Sequence, residues 1–170
     1  MAGRLIHVQT TEVTSAVAQV DIIGTTTDHV YMVTFADVQP VNNTTQLISR
    51  VLVGGAARTS ASYDRSWSSF SQSSIGNQYG ANETFTYVSG SQTGTGTSEN
   101  NQGCLYLHHF NNASEYSFVN VYGVNESHSQ SIGGLRGGWI YKVNEACNGI
   151  RLYFSGGNIA KGRFSLYRIE

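Results

Sequence analysis

The pattern that most limits what this chain can become is its hydrophobic alternation. Nearly every apolar cluster is short, rich in Val, Ile, Tyr and Phe, and repeats with period two. Neighbouring side chains of a strand point to opposite faces, so each such run offers one face for burial. The i, i+3, i+4 spacing of an amphipathic helix is almost absent. Strands are expected at 4–8, 17–23, 29–35, 46–53, 62–70, 83–88, 104–110, 116–124, 139–143, 149–154 and 162–169. The run QLISRVLV at 46–53 is apolar on both faces, which marks a central strand. Segment 37–43 holds Pro40, the only proline, and reads as a connection because proline cannot donate to a sheet ladder.

The stretch 56–103 has another texture: Ser, Thr, Asn, Gln and Gly, with Tyr63, Trp67, Phe70, Tyr79, Phe85 and Tyr87 spaced through it. Its second part, 89–103, contains no apolar residue and is expected to be an exposed loop. The glycine pairs at 54–55, 133–134, 137–138 and 156–157 read as turn and bulge positions. Short strands with turn signals every ten or so residues point to an all-β fold, a two-sheet antiparallel β-sandwich. Alternation alone leaves the jelly roll and other Greek keys equally open.

With 170 residues the chain closes one core, so residues 1–170 are read as a single domain. Charged residues make up only 12% against 39% hydrophobic, which predicts a polar but weakly charged surface. The 10 Tyr and 7 Phe argue against disorder, since their burial offsets chain entropy. A net charge of −1 without a basic run lacks the electrostatic footprint of a nucleic-acid binder. No apolar run approaches the ~18 residues of a membrane span, and the first residues turn polar too early for a signal peptide. The expectation is therefore a chain made in a cytoplasm, with no membrane and no nucleic-acid partner. Cys104 and Cys147 lack ligand spacing and read as free, buried thiols; a disulfide between them would need an oxidising exterior.

No catalytic, metal or cofactor site emerges. His108 and His109 are neighbours in a predicted strand and point to opposite faces, so they cannot share one ion. No serine lies in a nucleophile elbow, and the 11 acids are scattered. The glycine pairs are not followed by a phosphate-loop lysine. The chain is therefore expected not to be an enzyme. Aromatics among hydroxyls and amides, as around Tyr63, Trp67, Phe70 and Tyr79, either stack on sugars and pack in wet interfaces or face the core.

The C-terminal third carries a resemblance. Gly133-Gly134-Leu135-Arg136-Gly137-Gly138-Trp139, Asn148-Gly149-Ile150-Arg151-Leu152-Tyr153-Phe154, Ser155-Gly156-Gly157-Asn158-Ile159-Ala160-Lys161-Gly162 and Phe164-Ser165-Leu166-Tyr167-Arg168-Ile169 resemble the ending of small virion proteins of tailed bacteriophages, especially those infecting cyanobacteria. The segment from His29 to Val38, followed by Leu47-Ile48-Ser49-Arg50, is similar to two earlier strands of that family. Arg168 departs from it, standing where the family usually has Gly, and 56–103 is unmatched. The resemblance implies a jelly-roll-like domain displayed on a virion. Its role there would be capsid decoration (cement), bound to the major capsid protein or other virion proteins as a homo-oligomer, in particular a trimer. The alternative it implies is a head-fibre, tail-fibre or knob domain that binds host glycan. Interface residues are expected among Leu5, Ile6 and Val8 and near Trp67, Phe70, Tyr79 and Trp139, where apolar side chains would be left over once the sandwich closes.

Overall fold

A computed structural model describes residues 3–170, and the alternation is realised as thirteen strands. They are β1 (Leu5–Val13), β2 (Val20–Ile23), β3 (Val30–Pro40), β4 (Leu47–Val53), β5 (Ala56–Ala57), β6 (Tyr63–Ser71), β7 (Ile75–Glu83), β8 (Thr86–Tyr87), β9 (Asn101–His108), β10 (Ser117–Glu126), β11 (Ile132–Tyr141), β12 (Gly149–Phe154) and β13 (Ile159–Ile169). Eight form one antiparallel sheet in the order β1-β13-β3-β9-β10-β11-β6-β7. The other sheet runs β2-β12-β4, with β5 and β8 paired to opposite ends of the free edge of β4. The fold is a two-sheet antiparallel sandwich.

Register explains the core. Leu166, Val33, Leu105 and Val121 stand opposite one another on four consecutive strands of the large sheet, and all are buried. Ile22, Ile150 and Val51 form the matching row across the small sheet. As its two apolar faces imply, β4 sits inside its sheet. The Phe35 ring needs a glycine beside it at 103, and the backbone needs another at 123. A Cβ on Gly103 would lie 2.6 Å from the Phe35 ring and 2.2 Å from the Tyr122 carbonyl, and one on Gly123 would lie 2.6 Å from the Val88 carbonyl.

Four expectations are corrected. Strand β3 continues through Pro40, absorbing the predicted connection, because Asp37 takes a positive φ (55°) and the ladder to β13 shifts register around it. The segment 133–138 lies inside β11 and is not a turn; its glycines keep the backbone close to β6 and β10. Strand β7 occupies 75–83, where no strand was expected, since IGNQYGANE lacks the alternation that the search relied on. Finally, the exposed loop expected over 89–103 is exposed only in part: 95–98 stay exposed, 101–103 begin β9, and Ser89, Thr93 and Glu99 are buried. Thr93 is wholly buried, exchanges backbone hydrogen bonds with Thr45 (2.7 and 3.2 Å) and donates its hydroxyl to Asn101 (3.1 Å). Asn125 donates to Thr93 and Ser91, and Asn101 donates to the Val38 carbonyl (3.0 Å). Satisfied amides and hydroxyls plug this end of the sandwich, and a hydrophobicity pattern cannot reveal them.

Ion pairs tie loops to the sandwich. Arg58 binds both carboxylate oxygens of Glu145 (2.9 and 2.7 Å), and the Tyr141 hydroxyl donates to the same carboxylate (2.5 Å). The Arg58 guanidinium holds Glu145 below the usual carboxylate range. A depressed folded-state pKa contributes stability above the unfolded value, about 4.3, and that stability is lost as pH falls through the folded value. Glu145→Gln is therefore expected to lose stability near neutrality and to show a smaller further loss than wild type between about pH 5 and pH 3, read by urea denaturation. Gly103→Ala is expected to cost about 2–3 kcal/mol in the same assay, because backbone and a core ring both occupy the space of the new methyl group.

Candidate functional site

In a sandwich with a solvated outer face, the side chains of that face are expected to be polar. The large sheet departs from this on β10, where apolar residues alternate on both sides. Val119 and Val121 enter the core while Phe118, Tyr122 and Val124 stand outside. Register extends the outer face into cross-strand rows. Phe118 is opposite Ile140 and then Asp64; Asn120 is opposite Gly138 and Ser66; Tyr122 is opposite Arg136 and Ser68; Val124 is opposite Gly134 and Phe70. On the other flank β9 adds His108, Tyr106 and Cys104, with His108 hydrogen-bonded to Asn120 (3.0 Å) and Tyr106 edge-on to Tyr122.

Glycines shape this face. Gly134 and Gly138 leave no β11 side chain on either side of Arg136 on this face, and two shallow grooves flank the arginine, one of them floored by Gly138. One, about 470 Å³, is bordered by Phe118, Asn120, Ile140, Ser66 and Asp64 over Gly138. The second, about 540 Å³, lies between Phe70, Cys104, Tyr122, Val124 and Arg136. The Phe70 ring covers Gly134, filling the space where a Cβ would go.

The expected interface residues divide. Leu5 and Val8 are exposed on the edge strand β1, with Ile6 half-buried beside them. At the opposite edge, on β7, Tyr79 is 88% exposed. Phe70 lies half-buried on the outer face. Trp139 is not left over: only 4% exposed, it packs in the core edge-on to Tyr63. Trp67 lies on β6, within the strand expected at 62–70, and its ring is not left over but packs against the core. There the Arg65 guanidinium lies over Trp67, Phe85 and Tyr87, 4.5–5.3 Å from their centroids, with Glu83 as its ionic partner at 3.0 Å. Tyr63 is fully buried as well, so most of the aromatics in 56–103 are packing elements. The residues missed were Phe118, Tyr122, Val124, Ile132 and Arg136; the signal available was the two-sided apolar pattern of β10.

Acids and histidines are dispersed. Asp21, Asp37, Asp64, Glu83 and Glu145 each face a cation: Arg151, Lys161, Lys142, Arg65 and Arg58. His109, at positive φ after β9, turns toward Glu115 (2.9 Å) and Asp28 (3.8 Å), while His108 stays on the outer face. Among the described residues no group of three or more His, Cys, Asp or Glu is placed to hold a metal ion. Both cysteines are free thiols. Cys147 is buried, takes a hydrogen bond from the Ser117 hydroxyl (3.4 Å), and is pushed up to about 11 by burial. Cys104 is half-buried, and burial raises it as well.

No protein-family model, no curated protein and no solved structure matches this chain.

The two thiols offer a check on this geometry. At about pH 8, where an ordinary thiol is part-ionised, the folded protein is expected to take up a small maleimide at Cys104 alone. Cys147 should react only after denaturation, as read by peptide mass spectrometry. Labelling of Cys147 in the folded protein would contradict the packing described.

Proposed function

We propose that this chain is a non-catalytic virion structural protein of a tailed bacteriophage, a capsid decoration protein that docks through the outer face of its eight-stranded sheet. The observation that carries the proposal is the set of large apolar side chains Phe118, Tyr122, Val124 and Ile132, interrupted only by Asn120 along β10 and exposed between 38% and 51% on a face that a free sandwich would keep polar. Aromatic residues on a rigid sheet are the type of surface that forms the centre of a protein interface. The phage assignment rests on the resemblance of the C-terminal segments, and the winding it implies is jelly-roll-like. Asp21, Asp37, Asp64, Glu83 and Glu145 are each taken up by a cation, which supports a role in binding over one in hydrolysis. Many copies bound to a shell would stabilise it by mass action, as trimers at local threefold positions.

A second reading, a fibre or knob domain that recognises host glycan, is favoured by one observation: the bare Tyr79 ring at the sheet edge, opposite Ser66. Trp67 does not contribute, because its ring is taken up by packing.

Mixing the purified protein with capsids that lack it, then counting bound copies by sedimentation and densitometry, separates the two. Decoration predicts saturation at hundreds of copies per particle. Tyr122→Ser should then weaken binding at least about tenfold, the usual loss for a central interface aromatic, while changing stability by no more than about 0.5 kcal/mol. Binding of a handful of copies, together with host adsorption lost on Tyr79→Ala, would favour the fibre reading.

A further inference from the structure

The chain has ten Lys and Arg residues. Eight are paired with carboxylates: Arg4 and Arg168 with Glu170, Arg58 with Glu145, Arg65 with Glu83, Lys142 with Asp64, Arg151 with Asp21, Lys161 with Asp37 and Arg163 with Glu12. Arg50 donates to the Thr84 carbonyl and lies over the Tyr153 ring. Arg136 remains. Among the described residues it has no carboxylate, no hydrogen-bonded acceptor and no aromatic ring beneath its guanidinium, and it is exposed at the middle of the apolar outer face.

Its surroundings are built for a visitor. Gly134 and Gly138 precede and follow it on the same face, so no side chain of β11 crowds it, and its cross-strand neighbours are Tyr122 and Ser68. The groove of about 540 Å³ opens beside it, bordered by Phe70, Cys104, Tyr122 and Val124. A partner that covers the Phe118–Tyr122–Val124 band must cover Arg136 too. Covering a guanidinium without an anion removes its water and returns nothing, whereas a carboxylate gives a charge-assisted, bidentate pair that strengthens as water leaves.

We infer that Arg136 is the electrostatic anchor of the docking surface, and that the partner is a protein presenting an Asp or Glu flanked by apolar side chains, the carboxylate meeting Arg136 and an apolar neighbour filling the adjacent groove. A protein fits better than an acidic sugar because aliphatic Val124, Ile132 and Ile140 stand among the aromatic rings of this face, and an aliphatic side chain gives a sugar no plane to stack on. The inference rests on the outer face being the docking surface; it does not depend on the partner being a capsid.

The test uses the whole chain, isotope-labelled and followed by NMR. It is titrated with a capped Leu-Phe-Asp-Leu peptide, with the Asn counterpart of that peptide, and with trigalacturonate. The aspartyl peptide is expected to shift the amides of Tyr122, Val124, Gly134 and Gly138 and the Arg136 side-chain N–H saturably. The Asn peptide should bind about tenfold more weakly, the loss of one charge-assisted interaction. Arg136→Gln should abolish the difference between the peptides, and Arg136→Lys should retain part of it, since a lysine keeps the charge without the planar fork. Equal affinity for both peptides, or no shift with either, would overturn the inference. Stronger shifts of the same amides by trigalacturonate would overturn it in favour of a glycan site. Capsid binding gives an independent arm: wild type binding and Arg136→Glu binding equally well overturns the anchor alone. If wild type fails to bind capsids while the peptides are still discriminated, the decoration reading falls and the anchor stands.

Discussion

Seven inter-strand spacings of about 4.8 Å make the large sheet roughly 34 Å wide, whereas the three spacings of the small sheet span only about 14 Å. A sandwich with such unequal layers cannot bury the whole inner face of its larger sheet by sheet-on-sheet packing. Each remaining part of this molecule answers that deficit. On one side Phe85 and Tyr87, at the short edge strand β8 of the small sheet, pack with Trp67 around the Arg65 guanidinium on the inner side of β6. At one end, Thr93, Asn101 and Asn125 interlock as a buried polar plug. Both devices cost little solvation energy because nearly every donor has an acceptor; the Arg65 Nε is an exception, buried without one.

This division accounts for what the sequence could and could not disclose. Strands that face the opposite sheet squarely, such as β4, β12 and β13, read correctly because the face each turns to the core is mostly apolar. Where the cover is not a sheet, the reading failed. The buried part of 89–100 seemed exposed because its burial is achieved by hydrogen bonds between side chains. Strand β7, an edge strand on the uncovered side, has no apolar face to show. Of the expected interface residues, Tyr79 reaches the surface and Phe70 lies half-buried on the outer face, whereas Trp139 packs into the core, since a tryptophan next to glycines can as well pack inward as outward. The outer band on β10 was visible in principle as alternation on both faces, yet such a pattern also describes a strand buried on both sides. Only the sheet order distinguishes the two.

Glycine has two roles here that look identical in sequence. Gly103 leaves room in the core for the Phe35 ring, and a side chain on it or on Gly123 would collide with backbone. Gly134 and Gly138 serve the outer surface instead: Gly134 lets the Phe70 ring lie down on the sheet, and Gly138 leaves the floor of a groove open. The first use fixes the distance between layers, and the second determines what the surface can receive.

The position of β13 has a consequence for how the chain reaches this state. The strand nearest the C-terminal end of the sequence lies between β1 and β3, inside the large sheet, and its contacts with them span most of the chain. Closing such distant pairs costs loop entropy before any packing is gained, which places the molecule among slow-folding topologies. Until β13 is available, β1 has no neighbour to pair with and one edge of β3 stays open. Closure of the large sheet therefore waits on its latest strand, and a chain still lacking β13 carries open sheet edges of the kind that pair wrongly with other copies.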